Sequence, residues 1–174
     1  WGYANRRIEG VLVVRDVLRE VRLGDRAVAV LSPGTSGHFA VGGLFGESDA
    51  LHLDHGSAFL RVESGGPFSV ITTEGEVEVL GSRSGFPSRF PSPESCFEVT
   101  RMEEDMSQVN AVRGRWFGAG AIAMGMAVAV YEGSVHVSRG HADAGEGVTL
   151  HAGERAALDT QGVVHRPTSS DETT

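Results

Sequence analysis

Short apolar runs, some of which alternate with polar residues, recur along the first half of the chain and are separated by turn-forming residues. In one of them, Val77 and Val79 alternate with glutamates, as in a strand with one buried face. About seven such runs follow one another at a spacing of roughly ten residues, which predicts an all-β domain: a sandwich, a barrel or a β-helix-like stack of short strands and hairpins. The runs lie at residues 11–14, 26–31, 38–41, 51–53, 59–63, 68–72 and 77–79.

Two hairpins are predicted in the second half of the chain. The alternating runs 127–131 and 134–138 flank Glu132 and Gly133, a two-residue turn with a glycine. A second hairpin is predicted over residues 147–158, around a four-residue turn. Glycine and valine, which occur 24 and 22 times, suit the turns and strands of such a fold.

Two stretches interrupt this rhythm. Residues 82–95 are rich in serine and proline and are predicted to form an inserted surface loop. One short helix is predicted near residues 103–125, because an acidic segment precedes a stretch rich in Ala, Gly and Met. We therefore expect a single β domain over residues 1–165, followed by a polar tail at 166–174.

Composition and charge exclude several classes of function. The net charge of −8 argues against nucleic acid or an anionic membrane surface as the main partner. All 15 basic residues are arginines, which excludes lysine chemistry. The longest weakly polar run, residues 118–130, is shorter than the roughly 20 residues of a membrane span, so no insertion by this segment is predicted. No signal peptide is visible and the chain begins at Trp1 rather than Met, so its N-terminus is expected to be processed, cut or incompletely known, and an anchor or address upstream would not be visible in this sequence.

The histidines do not predict a metal site. His52 and His55, with Glu63 downstream and His136 or His151 as a distant fourth ligand, have the composition of a cupin-type site. Residues three apart on a strand point to opposite faces, however, so the two neighbouring histidines cannot share a metal ion. We predict no metal and no cofactor.

No catalytic constellation is predicted either. The chain lacks a Gly-x-Ser-x-Gly turn and a glycine-rich phosphate cradle. Cys96 is expected to be a small core residue rather than a nucleophile. Glu74, Glu76 and Glu78 are interpreted as a solvated strand face. The chain is therefore not expected to be an enzyme.

A series of short strand and turn motifs follows one another between roughly residues 20 and 160. They are carried by Phe59, Val62, Pro67, Phe68, Val70, Gly81, Phe97, Val99, Tyr131, Glu132, Gly133, Val135, Gly153 and Glu154. This series resembles the FecR family, and most closely its myxobacterial members. These are periplasmic domains of bacterial regulators that control extracytoplasmic-function sigma factors. The long 82–95 loop and an unclear Asp-Gly-Ser turn near Gly24 depart from the family pattern.

The resemblance implies structural roles for these residues and a non-catalytic function. Phe59, Phe68, Val70, Val79 and Phe97 are expected to face one core. The implied activity is protein–protein interaction outside the cytoplasmic membrane, in a periplasmic or extracellular location, as in signal relay to a sigma factor. The sigma-binding part and membrane anchor of such regulators are not visible in this chain. The alternative is a secreted structural subunit of an oligomer or filament, with the small-residue run 118–126 as one interface.

Overall fold

All described residues of the computed structural model are in strands or their connections, which confirms the all-β prediction. The structure describes residues 7–24, 26–42, 49–63, 68–79, 95–101, 124–139, 147–159 and 164–165. Within these ranges, no helix has the length and apolarity needed to cross a membrane. The strands are β1 (Ile8–Val13), β2 (Arg19–Leu23), β3 (Ala27–Leu31), β4 (Ser36–Val41), β5 (Asp49–Val62), β6 (Phe68–Ile71), β7 (Glu76–Val79), β8 (Ser95–Arg101), β9 (Met124–Glu132), β10 (Ser134–Ser138), β11 (Gly147–His151), β12 (Arg155–Asp159) and β13 (Val164–His165).

The strands form one continuous sheet that strand β5 divides into two halves. The first half of β5 pairs with β4 and, in parallel, with β6, whereas its second half pairs with β3 and β8. Sheet 1 has the order β1-β4-β5-β6-β7-β10-β11, and sheet 2 has the order β2-β3-β5-β8-β9-β12-β13. The sheet folds over at β5 into a nearly closed, barrel-like arrangement around one hydrophobic core.

Gly56 is the residue at which β5 passes from one half to the other. Its φ of 97° is in the left-handed region, and a Cβ there would lie 2.5 Å from the Cα of Thr35. The Thr35 hydroxyl braces the bend, because it accepts the Ser57 N–H and donates to the Ser57 carbonyl, both at 3.1 Å. The runs 51–53 and 59–63, predicted as separate strands, are therefore one bent strand.

The hairpin predicted around Gly133 is wrong. Strand β9 pairs with β8 and β12 in sheet 2, whereas β10 pairs with β7 and β11 in sheet 1. Gly133, with a φ of 77°, lies at a corner between the sheets, where a side chain would meet Ser95. A short turn with a glycine can connect two strands that pair with each other or two strands that belong to different sheets. Here the packing of the two sheets selects the second arrangement.

The second predicted hairpin is wrong for the same reason. Strand β11 belongs to sheet 1 and β12 to sheet 2. At this corner the N–H of Gly153 donates to the carbonyl of Val130 at 2.8 Å. The Glu154 carboxylate accepts the N–H of His151 at 2.7 Å and so closes the turn.

The core collects the inward side chains of both sheets into one cluster. Four residues predicted to face it are at most 5% exposed: Phe68, Val70, Val79 and Phe97. The prediction for Phe59 is wrong, since this side chain is 37% exposed on the outer face of sheet 2. Phe59 and Val62 are three residues apart and therefore face opposite sides, and Leu60 takes the inward position beside Val62.

Cys96 also lies on the outer face, which corrects its assignment to the core. It precedes the buried Phe97 on β8 and is only partly buried. Several other predictions fall outside the described residues: Pro67, Gly81, the 82–94 part of the loop, the 103–123 part of the helix, and the tail at 166–174. Met124 and Gly125, at the end of the predicted helix, belong to β9.

Candidate protein-binding edge

Strand β1 forms an apolar edge of sheet 1. Among the strands that the structure describes, it pairs with β4 alone. Val11 on this strand is 80% exposed. An edge strand of this kind offers backbone groups and apolar contacts to another chain. Five of the seven large apolar side chains exposed within the described residues lie on β1 or just after it: Ile8, Val11, Val13, Val17 and Leu18.

The inner face of β1 explains how this strand is held. Gly10 lies opposite Phe39 of β4, and a Cβ at Gly10 would meet the Phe39 ring at 2.5 Å. Leu12, the next inward residue, packs against the core. Since side chains alternate along a strand, Val11 and Val13 point outward. The strand is therefore anchored from one side and leaves its apolar outer face exposed.

The net charge of the segment that contains β1 differs from that of the whole chain. Residues 7–22 contain four arginines and three acidic residues, a net charge of +1, whereas the full chain carries −8. Arg7 and Glu9 at the start of β1 lie 3.7 Å apart at an exposed position. This segment therefore adds no net repulsion of an acidic partner, unlike the chain as a whole.

A groove lies next to β1 on the outer face of sheet 1. It has a volume of about 600 Å³ and is lined by charged, apolar and imidazole groups. His38 of β4 and His52 of β5 are directly opposite one another, and their rings stack with centroids 4.3 Å apart. Sequence spacing did not reveal His38 as the neighbour of His52, but pairing β4 with β5 would have done so. The groove is lined by Arg7, Glu9, Gly10, Val11, His38, Phe39, Ala40 and His52.

An aromatic pair marks the outer face of sheet 2. The rings of Phe59 and Tyr131 are tilted, with centroids 5.7 Å apart. The Tyr131 hydroxyl donates to Glu98 at 3.2 Å, and the Ser57 hydroxyl donates to the same carboxylate at 3.0 Å. Glu98 is thus held in place by its neighbours, which is typical of a structural carboxylate.

Glu74 corrects the prediction of a solvated glutamate face. Its side chain is 10% exposed and forms an ion pair with Arg101, whose Nε lies 3.0 Å from a Glu74 oxygen. The pair joins the turn before β7 to β8 and so ties sheet 1 to sheet 2. Across the described parts of the chain, no three His, Cys, Asp or Glu side chains form a group that could hold a metal ion.

The residues that match the FecR pattern fall into distinct positions. Glu154 and the glycines 133 and 153 shape the two corners, whereas Phe59, Tyr131 and Glu132 are exposed. Six others are at most 3% exposed and build the core: Val62, Phe68, Val70, Phe97, Val99 and Val135. None of the matching residues lies on β1. The apolar edge was therefore missed by the motif pattern, although the run 11–14 was predicted as a strand.

Comparison with known proteins finds similarity among the solved structures. No protein-family model matches the chain, and no curated protein matches it. Among solved structures, the chain is similar to a crystal structure from Parabacteroides distasonis ATCC 8503 described as a "putative anti-sigma factor", with a TM-score of 0.62 and 21% sequence identity. The match covers 91% of this chain and 59% of that chain, so this chain spans under two thirds of the other protein's length. The chain therefore shares the fold of that protein.

Proposed function

We propose that this chain is a non-catalytic, protein-binding domain of a bacterial regulator of sigma-factor signalling, and that its partner binds at β1. The single observation that supports a binding site at β1 is that this edge strand is apolar and exposed. The signalling class is supported by the fold shared with the Parabacteroides protein and by the FecR-like motifs.

The partner we propose is an extended protein segment that adds a strand to sheet 1. Strand addition uses backbone hydrogen bonds for affinity and alternate side chains for specificity. An apolar side chain at every second position of the partner would lie beside Val11 and Val13. The weak net charge of residues 7–22 allows a neutral or acidic segment to approach an otherwise acidic molecule.

A transcription reporter in the native host tests this proposal. With the full-length regulator, Val11→Arg should abolish the response of the sigma-dependent promoter, because a charge replaces the apolar contact at the edge. Tyr131→Arg is the matched control, since it changes an exposed aromatic side chain on sheet 2. Loss of the response in Tyr131→Arg but not in Val11→Arg would show that the partner does not bind at β1. An unchanged response after deletion of the whole domain would overturn the signalling role.

The same proposal places the domain outside the cytoplasmic membrane, on the strength of the FecR resemblance. In cells that express the tagged full-length protein, protease added to spheroplasts should digest this domain. A cytoplasmic marker protein should stay intact in the same sample. Protection of the domain together with the marker would contradict this location.

A second candidate function is that of a structural subunit built on the same domain. The same edge favours it, because an apolar strand that pairs on one side only within the described residues can also join copies of one chain. In that case the extended partner is β1 or another edge strand of a second copy.

A further inference from the structure

The hydrogen bonds of Val14 show which backbone groups of β1 point away from β4. The N–H of Val14 donates to the carbonyl of Thr35 at 2.8 Å, and the Val14 carbonyl accepts the N–H of Gly34 at 2.9 Å. Both groups of Val14 therefore point towards β4. These directions alternate along an antiparallel strand, so the preceding residue and every second one before it turn both groups away from β4. These residues are Val13, Val11 and Glu9.

Strand β2 is a second edge, but it is protected by charge. Within the described residues, it pairs with β3 alone. Three of its five residues are both charged and exposed: Arg19, Glu20 and Arg22. Charged side chains on an edge strand oppose pairing with another chain. Strand β1 has a single charged residue, Glu9, near its start, so an added strand is expected on β1 rather than on β2.

Gly10 leaves a gap in the inner row of side chains on β1, and the Phe39 ring lies over this gap. Gly10 is directly opposite Phe39 of β4. The Cε1 and Cζ atoms of Phe39 are 2.5 and 2.7 Å from the position that a Cβ of Gly10 would take, so the end of the ring lies over the edge strand. Both residues are half-buried, which leaves part of the ring accessible. A side chain on the far side of Gly10 would therefore meet an aromatic ring.

We propose that the added strand runs antiparallel to β1 and places an aromatic side chain opposite Gly10, where it packs against the Phe39 ring. This inference rests on the proposed function. Since the backbone groups of Gly10 point towards β4, Gly10 and its new partner would form a non-hydrogen-bonded pair. The Cα atoms of such a pair are only about 4.5 Å apart, so its side chains approach most closely. An aromatic side chain that packs across a neighbouring glycine is a known way to stabilise the edge of a sheet.

The antiparallel register defines which side chains are expected around the aromatic residue. The three residues before it would lie opposite Val11, Leu12 and Val13 in turn, and apolar residues are expected there. The residue after it would lie opposite Glu9, whose side chain is 72% exposed. Like charges directly opposite one another destabilise a strand pair, so a basic or uncharged residue is favoured at this position. The partner segment should therefore contain three apolar residues, an aromatic residue and a basic or uncharged residue, in that order.

Selection of random peptides displayed on phage against the immobilised full chain tests this order. We expect the enriched peptides to share it. In fluorescence anisotropy, a selected peptide should bind at least tenfold more tightly than its copy with alanine in place of the aromatic residue. In Phe39→Leu, which keeps an apolar side chain but removes the ring, the two peptides should differ by less than about threefold. Tyr131→Arg is the control and should bind both peptides as the wild type does.

The outcomes separate this inference from the proposed function. Peptides that lose binding in Val11→Arg but carry no aromatic residue at a fixed position would overturn the aromatic position and leave binding at β1 intact. The same loss from the peptide's alanine in the wild type and in Phe39→Leu would also overturn it. A lack of enriched peptides, or peptides that bind Val11→Arg as tightly as the wild type, would overturn both the aromatic position and binding at β1. If Phe39→Leu fails to fold, Phe39→Met takes its place.

Discussion

Glycines with a positive φ meet two different constraints in this fold. At Gly153, with a φ of 88°, no atom lies within 4 Å of an added Cβ, whereas at Gly56 the Cβ would strike Thr35. We expect Gly153→Ala to lower the free energy of unfolding by about 1–2 kcal/mol, the cost of a left-handed backbone alone. Gly56→Ala should lower it further, because the backbone of Thr35 must also move. Urea denaturation measures the free energy of unfolding of both variants. Equal losses would show that Thr35 moves away from the added Cβ without a cost in free energy.

Two phenylalanines on neighbouring strands are expected to differ sharply in their contribution to stability. Phe97 is fully buried, so Phe97→Ala should lower the free energy of unfolding by about 3–5 kcal/mol. Phe59 contacts Tyr131 on the outer face, so Phe59→Ala should cost about 1 kcal/mol or less. Denaturant melts of the two variants check this ranking. A larger loss of unfolding free energy for Phe59→Ala than for Phe97→Ala would show that Phe59 belongs to the core, as was expected from the sequence.

At the scale of strands, the sequence predicts where most of them lie but not which ones pair. Alternation is a local signal, and it located the core strands around Val70 and Val77. Pairing depends on contacts far apart in sequence, so the corners at Gly133 and Gly153 looked like hairpins. The His38–His52 pair was missed for the same reason, since it exists only through the register of β4 and β5.

Cysteine cross-linking distinguishes the corner at Gly133 from a hairpin. In a Cys96→Ser background, Glu78→Cys with His136→Cys should form a disulfide under mild oxidation, because these residues are opposite one another on β7 and β10. Ala129→Cys with His136→Cys is the control, since the predicted hairpin would place those two residues opposite one another. Thiol counting by mass spectrometry measures both. A disulfide in the control pair alone would restore the hairpin.

At the scale of the whole molecule, the edge at β1 is the part of the described surface that the stability of the fold does not explain. The two sheets share β5 and are joined further by the Glu74–Arg101 ion pair. The residues of the core and of the two corners therefore serve to stabilise the fold. The exposed apolar residues of β1 add nothing to that core. Exposed apolar residues lower the solubility of a protein, and their presence here is explained if another chain covers them. The low net charge of residues 7–22 is compatible with such a contact.

The oligomeric state decides between the two candidate functions. We expect light scattering after size exclusion to give a monomer over a wide concentration series, because a signalling domain keeps its edge for a different protein. Val11→Arg should leave that mass unchanged. Rings or filaments that dissolve in Val11→Arg would instead show that the edge joins copies of the chain, and the structural subunit would replace the signalling domain. Assemblies that persist in Val11→Arg but not in Tyr131→Arg would place the contact on the outer face of sheet 2.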